Sequence, residues 1–303
     1  MTDDVFKSGF VAIIGRPNVG KSTLLNQLMG KKISITSNKP QTTRNRILGI
    51  KTTESHQIIF ADTPGIHHKY KGSILNQRMN RTSLAALDDA DLNLFVIEAG
   101  RWTEEDESVL ERLKSTDIPM LLVVNKVDLL PNKEELLPFL EDISAKASFD
   151  KIMLVSSLKG DGVVGLESEL FSYLSFEGQY YPAEYDTDKS DKFISAEIVR
   201  EKLFRSLAQE IPYQVGVVVD KISVEKKLLK IFCTIWVSRE GQKRIILGKK
   251  GEKMKNISTL ARKDMEAYFK KKVFLDVWIK VKEGWVDNTK LLNELGYYDG
   301  EGM

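Results

Sequence analysis

The 303 residues carry 45 Lys and Arg against 43 Asp and Glu, a formal charge of +2, with 42% hydrophobic and 29% charged residues. This is globular composition, long enough for two domains, and it excludes a disordered or disulfide-stapled chain, since the one cysteine, Cys233, has no partner for an internal bridge. No apolar run approaches a membrane span. The acidic start and the short run Phe10–Ile14 do not fit a secretory signal, so the expectation is a cytoplasmic protein.

The apolar run Phe10–Ile14 reads as a buried strand and Thr23–Met29 as a helix ended by Gly30. Between them Gly15-Arg16-Pro17-Asn18-Val19-Gly20-Lys21-Ser22 fits G-x-x-x-x-G-K-[ST]. Strand, glycine loop and helix together make a phosphate cradle. Backbone N–H groups point inward, the helix start adds positive potential, Lys21 reaches the β- and γ-phosphates, and Ser22 offers its hydroxyl to Mg²⁺. The first helical residue after it, Thr23, counts with the nucleotide loop.

From Lys31 to Arg44 the chain is polar, contains Pro40 and reads as a loop. Gln41-Thr42-Thr43-Arg44 presents two hydroxyls where a switch loop closes over the metal, and Thr42 and Thr43 stand as equal candidates. The run Gln57–Ala61 is a second strand ending in Asp62-Thr63-Pro64-Gly65. Asp62 is placed to hold Mg²⁺ and Gly65 to offer an unhindered N–H to a γ-phosphate, with Ile66–Gly72 following as the loop that hydrolysis would release. Three histidines, His56, His67 and His68, lack zinc-like spacing and read as surface or loop residues.

Further strands are expected at Leu92–Ile97, Met120–Val124 and Ile152–Val155, alternating with helices near Ile74–Leu87, Glu104–Lys114, Lys133–Lys146 and Val163–Leu174. That alternation predicts an α/β domain, a mostly parallel sheet wrapped by helices, with its ligand at the carboxyl ends of the strands. Asn125-Lys126-Val127-Asp128 ends the strand Met120–Val124. The Asp128 carboxylate can accept from N1–H and the exocyclic amine of guanine, a donor pair that adenine lacks. Asn125 takes the N7 side and the Lys126 stem lies over the ring. Ser156-Ser157-Leu158 ends the last strand and supplies backbone N–H groups to the guanine carbonyl.

The polar stretch 178–191 reads as a linker between a domain at 1–177 and a second at 192–303. Charge supports the division: Lys192–Val286 holds 22 basic and 11 acidic residues, while the remainder is acidic on balance. The second part reads as a helix Lys192–Gln209, strands Tyr213–Ile222 and Leu228–Val237, two helices interrupted by Leu247-Gly248-Lys249-Lys250-Gly251, a strand Val273–Val281, and a last helix over Trp285–Tyr298. Two glycines let a backbone approach a single strand. Lys249, Lys250 and Lys253 meet its phosphates, and Ile245, Ile246 and Ile257 line a groove for splayed bases.

These motifs in this order resemble the translation-factor-related class of P-loop GTPases, and within it the bacterial ribosome-assembly GTPases that carry a type-2 KH domain. Ser157 departs from the pattern, standing where alanine is usual. The resemblance implies GTP and GDP as ligands, Mg²⁺ as cofactor, and hydrolysis coupled to binding the 3′ end of small-subunit ribosomal RNA during maturation of the small ribosomal subunit, by a monomer. Ras-like enzymes place a glutamine after D-x-x-G; here Ile66 stands there and cannot orient water. Asn18 then has two readings, a K⁺ ligand against the phosphates that replaces an arginine finger, or a turn residue that tolerates unusual φ and ψ. Two other classes are weighed. In one, the basic domain, with its Lys270-Lys271-Lys272 run, meets anionic lipid on the cytoplasmic face of the membrane. In the other, the chain is a metabolic nucleotide kinase, which leaves Asn125–Asp128 and the basic domain without an account.

Overall fold

The computed structural model describes residues 5–65, 73–130, 132–207 and 211–297, without the side chains of residues 133 and 211. The chain forms two units. The first comprises Met1–Ser34, Thr43–Lys71 and Met79–Asp188; the second comprises Ile35–Thr42, Gly72–Arg78 and Lys189–Met303. Ile66, His67, His68 and the loop to Gly72 lie outside the described residues, as does Tyr298.

The first unit contains β1 (Lys7–Ile14), α1 (Lys21–Met29), β2 (Ile47–Thr52), β3 (His56–Asp62), part of α2 (Ile74–Asp88), β4 (Leu92–Glu98), α3 (Glu104–Leu113), β5 (Met120–Asn125), α4 (Leu136–Ser144), β6 (Lys151–Val155), α5 (Val163–Leu170) and β7 (Phe176–Glu177). Sheet order is β2-β3-β1-β4-β5-β6, with β7 paired to β1. Strands β1, β3, β4, β5 and β6 are mutually parallel, while β2 and β7 run antiparallel to their neighbours. The strands of the middle read as unbroken apolar runs because helices cover both faces. One face packs Ala12, Ile14, Phe95, Ile97, Leu122 and Val124 against Val109, Leu110 and Leu113 of α3 and Ile143 of α4. Residues Leu24, Leu25 and Leu28 of α1 are fully buried as well.

Two strands escape the sequence pattern. Strand β2 carries Gly49 among its apolar residues, and glycine weakens a strand signal. The glycine is needed because a Cβ there would lie 2.8 Å from Leu25 Cδ1 and 3.1 Å from Met29 Sδ, so α1 can only pack on β2 at a residue without a side chain. Strand β7 has two residues and no period to read. Helix α4 begins at Leu136 rather than Lys133, after a separate 3-10 turn at Lys133–Glu135, and ends at Ser144. The stretch expected to be a linker runs along the sheet. Ile50 N–H donates to the Asp186 carbonyl at 2.9 Å, Leu48 N–H to Asp188 Oδ1 at 3.0 Å, and Gln57 Oε1 accepts from the N–H groups of Tyr180 and Tyr181 at 3.0 Å each.

The second unit contains α6 (Asp191–Ser206), β8 (Val215–Glu225), β9 (Leu228–Val237), α7 (Glu240–Leu247), α8 (Glu252–Phe269), β10 (Lys272–Val281) and α9 (Thr289–Glu294). This is the α-β-β-α-α-β order expected. The sheet runs β10-β9-β8, with β8 and β9 an antiparallel hairpin and β10 parallel to β9. Alternation on the strands places Leu229, Ile231, Cys233, Ile235 and Val237 in one core with Ile198 and Leu203 of α6 and Met254, Ala261 and Met265 of α8. The expected terminal helix is split. Trp285–Asp287 is one 3-10 turn, and Asn288 then caps α9 by accepting from the N–H groups of Lys290 and Leu291. Trp285 is fully buried and donates from Nε1 to the Gln214 carbonyl at 3.2 Å.

Loop residues 35–42 belong to this second unit and lie against α6. The Thr36 N–H donates to Glu201 Oε1 at 3.1 Å, Arg205 Nη2 donates to Thr36 Oγ1 at 3.0 Å, and Lys39 Nζ donates to the carbonyls of Phe204 and Leu207, which end α6.

Candidate nucleotide site and helix-loop-helix

The glycine loop leaves β1 and enters α1 through conformations that few side chains accept. Gly15 has φ 155°, Asn18 65° and Gly20 103°. A Cβ at Gly15 would lie 2.3 Å from the Val96 carbonyl oxygen, and one at Gly20 would lie 2.3 Å from Asn125 Nδ2. The loop is thus wrapped against β4 and against the end of β5, with no room for side chains at these points. Asn18 in the left-handed region is what the turn reading of this residue expects.

Lys21 is buried and donates from Nζ to the carbonyls of Gly15 at 2.8 Å and Arg16 at 2.9 Å. Burial pulls its pKa down to about 8, against the attraction of Asp62. Three hydroxyls converge on Asp62 Oδ2: Ser22 at 2.7 Å, Ser34 at 2.8 Å and Thr43 at 3.5 Å, with Ser22 Oγ 2.9 Å from Thr43 Oγ1. Among the described residues, Asp62 Oδ1 is buried with no hydrogen-bond partner. Burial raises the Asp62 carboxyl above its ordinary range while the Ser22 hydroxyl and the Lys21 charge pull it back. A desolvated carboxylate with one oxygen unpaired among the described residues, beside the Ser22 and Thr43 hydroxyls, is a set of hard oxygen donors and fits Mg²⁺.

The structure separates the two threonines. Thr43 faces Ser22 and Asp62. The Thr42 hydroxyl lies 2.6 Å from Ser37 Oγ and donates to the Lys39 carbonyl at 2.7 Å, and the Thr42 carbonyl accepts from Arg200. Thr42 is therefore not brought to the carboxylate. Thr63 Oγ1 donates to the Ile13 carbonyl at 3.1 Å and the Pro64 carbonyl accepts from Ser83 Oγ at 2.7 Å, so the turn after β3 is pinned on both sides. At Gly65 a Cβ would fall 2.8 Å from the Pro17 backbone nitrogen. Only glycine lets the D-x-x-G turn come this close to the phosphate loop.

On the other flank, Asn125 Nδ2 donates to the Val19 carbonyl at 2.8 Å, while Oδ1 accepts from the Ser157 N–H and hydroxyl at 2.9 Å each. Asn125 thereby ties the phosphate loop, β5 and the loop after β6 together; N7 of guanine is an acceptor, so the atom able to meet it is Nδ2, one of whose two N–H groups goes to Val19. Ser156 Oγ donates to Asp128 Oδ1 at 2.6 Å, which orients the carboxylate. Lys126 has φ 65°, and Leu158 is exposed beyond two buried serines.

Three polar partners were missed in the sequence. Ser34 is one hydroxyl in a polar stretch, selected only by Asn26, whose Oδ1 accepts from the Ile33 and Ser34 N–H groups. Asp106 caps α3 in a box with Thr103 and accepts from Arg16 Nε at 2.9 Å. The Thr103-x-x-Asp106 spacing before an apolar run was a readable signal for the cap, though not for Arg16. Glu98 accepts from Arg16 Nη2 at 2.9 Å.

In the second unit Gly248, between α7 and α8, has φ 70° and ψ −175°, a region reserved for glycine, and a Cβ there would lie 2.6 Å from Lys253 Cβ. Lys250 has φ 50° and Gly251 φ 79°. This strained turn presents Lys249 and Lys250 to solvent, with Lys253 half-buried behind them. Of the three isoleucines expected to line a groove, Ile246 and Ile257 are fully buried core residues and only Ile245 is exposed. The period of α7 and α8 turns those two inward, which corrects the expectation that they face splayed bases.

The 50S ribosome-binding GTPase family matches residues 10–126 and the KH domain family residues 210–286. GTPase Era of Coxiella burnetii (strain Dugway 5J108-111) is 51% identical over 289 residues, 95% of this chain and 97% of the relative. The chain belongs to the Era family of GTPases. GTPase Era of Glaesserella parasuis serovar 5 is 48% identical over 300 residues, 99% of this chain and all of that protein. A crystal structure of an Aquifex aeolicus Era point variant bound to GDP·AlF₄⁻ superposes with a TM-score of 0.93 at 36% identity, covering 96% of this chain and 99% of that one. A structure of Era with MgGDPNP and nucleotides 1506–1542 of 16S ribosomal RNA gives the same TM-score at 37% identity and the same coverage. As an Era-family member this chain is a GTPase built from a P-loop domain with a mostly parallel sheet and a C-terminal KH domain.

Proposed function

We propose that this Era-family GTPase is a switch whose KH domain holds the 3′ end of small-subunit ribosomal RNA and assists maturation of the small ribosomal subunit. The observation that carries the reading is the gathering of Gly15–Ser22, Asp62–Gly65, Asn125–Asp128 and Ser156–Leu158 at the carboxyl ends of β1, β3, β5 and β6, in a chain that also bears a Gly-Lys-Lys-Gly turn between KH helices. A relative solved with MgGDPNP and a 16S ribosomal RNA segment supports the pairing of these two ligands.

In this reading the backbone N–H groups of residues 15–23 take the phosphates and Lys21 gives them a cation. Burial pulls its pKa down to about 8, so nearby phosphate charge would also secure the proton on Nζ. Ser22, Thr43 and Asp62 hold Mg²⁺, which supplies charge neutralisation at the β- and γ-phosphate oxygens. Gly65 N–H faces the γ-phosphate side, and the Asp128 carboxylate, oriented by Ser156, reads guanine. Asn18 keeps the loop in its turn and K⁺ is the activator to test beside it. Single-stranded RNA is met by Lys249, Lys250 and Lys253, with Ile245 offering the exposed apolar contact. The protein acts in the cytoplasm; among the described residues no helix is long and apolar enough to cross a membrane.

The test uses the full chain with a labelled RNA ending in the small-subunit 3′ sequence. Wild type binds, with affinity falling steeply as salt rises, and Lys249→Asp with Lys250→Asp abolishes the specific binding while GTP hydrolysis persists. Equal binding by wild type and the double variant sinks the RNA assignment. Equal hydrolysis rates in KCl and NaCl remove K⁺ from it.

A further inference from the structure

We propose that Glu98 is a positioning residue for guanine nucleotide, a carboxylate that locks the phosphate loop to the base-reading loop. Glu98 is the last residue of β4, the strand that lies between β1 and β5 in the sheet. It stands in register with Asn125, and the next N–H, that of Ala99, donates to the Asn125 carbonyl at 2.8 Å. Its carboxylate spans two cations that come from different motifs: Oε2 is 2.9 Å from Arg16 Nη2 in the phosphate loop, and Oε1 is 3.3 Å from Lys126 Nζ in the base-reading loop.

The surroundings make this bridge more than a surface pair. The side chains of Arg16 and Glu98 are only 6% and 20% exposed, and Arg16 is held from its other side by Asp106, which is fully buried. The two Arg16 contacts use separate guanidinium nitrogens, Nε to Asp106 and Nη2 to Glu98, so the planar fork sets the direction from which Glu98 must approach. Lys126 sits at φ 65°, a conformation that costs free energy for a residue with a side chain and persists where its surroundings hold it, and the Glu98 carboxylate is one such hold. The inference rests on the reading that Asn125–Asp128 engages the base. Given it, Glu98 fixes the distance between the phosphate and base sites and so acts on how long nucleotide stays bound. It does not touch the reacting atoms.

The experiment measures release of N-methylanthraniloyl-GDP and steady-state GTP hydrolysis for the full-length wild type, Glu98→Gln, Glu98→Asp, Lys126→Gln and the Glu98→Gln/Lys126→Gln double variant. The expected result is release about tenfold faster from Glu98→Gln, a rise in KM larger than any fall in kcat, and partial rescue in Glu98→Asp. The double variant should release little faster than the faster single variant, because both changes break one bridge. Release from Glu98→Gln at the wild-type rate overturns the proposal. So do single effects that multiply in the double variant, and a lowered melting temperature with KM unmoved, the mark of a pair that only stiffens the fold. Asp128→Asn serves as the separate check of base reading. If it shifts preference from guanosine to xanthosine diphosphate, whose C2 carbonyl suits an amide donor, the base-reading premise holds, and a wild-type rate in Glu98→Gln then counts against Glu98 alone.

Discussion

Thr43 Oγ1 lies 2.9 Å from Ser22 Oγ, and both hydroxyls face Asp62 Oδ2. Its neighbour Thr42 spends its hydroxyl on Ser37 and the Lys39 carbonyl. Thr43→Ala should therefore lower Mg²⁺-supported GTP hydrolysis on the order of 10- to 100-fold and raise the Mg²⁺ concentration needed for half-maximal rate. Thr42→Ala should instead cost about 1 kcal/mol of stability, the loss of a modest hydrogen-bond pair. Hydrolysis against Mg²⁺ concentration for the two variants checks the distinction, and an equal effect from both would refute it.

Gly65 has no space for a methyl group, because Pro17 N stands 2.8 Å from where the Cβ would be. Gly65→Ala must push the turn after β3 away from the phosphate loop. GTP hydrolysis should fall by about tenfold or more, since a displacement near 1 Å is costly at a reacting centre. GDP binding, which does not need the γ-phosphate contact, should change far less. Calorimetric titration with GDP beside a single-turnover GTP assay separates the two effects.

Ser157 adds a hydroxyl donor to Asn125 Oδ1 that alanine would lack, while its backbone N–H donates to the same atom. Ser157→Ala removes one of these two bonds and leaves the other. The expected loss is about 0.5–1.5 kcal/mol, a few-fold to about tenfold weaker GDP binding. A drop of several hundredfold would show that the serine does more than steady Asn125.

Gly248 occupies φ 70° and ψ −175° with Lys253 Cβ only 2.6 Å from a would-be Cβ. Gly248→Ala should destabilise the second unit by about 1–3 kcal/mol through backbone strain. Urea denaturation followed by tryptophan fluorescence, in a variant with Trp102→Phe so that the remaining three tryptophans, Trp285 among them, all lie in the second unit, reads this.

Cys233 is fully buried in the second core, and burial pushes its thiol up to about 12. At pH 8 the reactive thiolate is then nearly absent and the sulfur is shielded, so iodoacetamide should leave the folded protein unmodified. Labelling should appear at the denaturant concentration that opens this unit. Rapid labelling of the native chain would contradict the burial.

Much of this molecule could be read from the chain because its signals are local or periodic. Parallel strands buried on both faces show as unbroken apolar runs, as at Leu94–Ile97 and Leu121–Val124. The phosphate loop needs consecutive residues, so its pattern is written without gaps. Strand β2 was lost because Gly49, required by the close approach of α1, interrupts the very pattern that announces a strand. The terminal helix was overextended because Asn288, a helix-starting cap, looks like any polar residue until the N–H groups it satisfies are known.

What the amino-acid order alone determined was a set of loops and the groups they carry: Gly15–Ser22, Asp62–Gly65 and Asn125–Asp128 at strand ends, expected to meet phosphate, metal and base, and Gly248–Gly251 between two helices. Tertiary structure decided which chemically equal neighbours serve. It turned Thr43 rather than Thr42 toward Ser22, drew in Ser34 from eight residues beyond Asn26, sent Ile246 and Ile257 into the core, and set Glu98 between Arg16 and Lys126. The reason is directional. Composition and spacing specify which groups are present, but the direction of a side chain depends on strands and helices that come from distant parts of the chain.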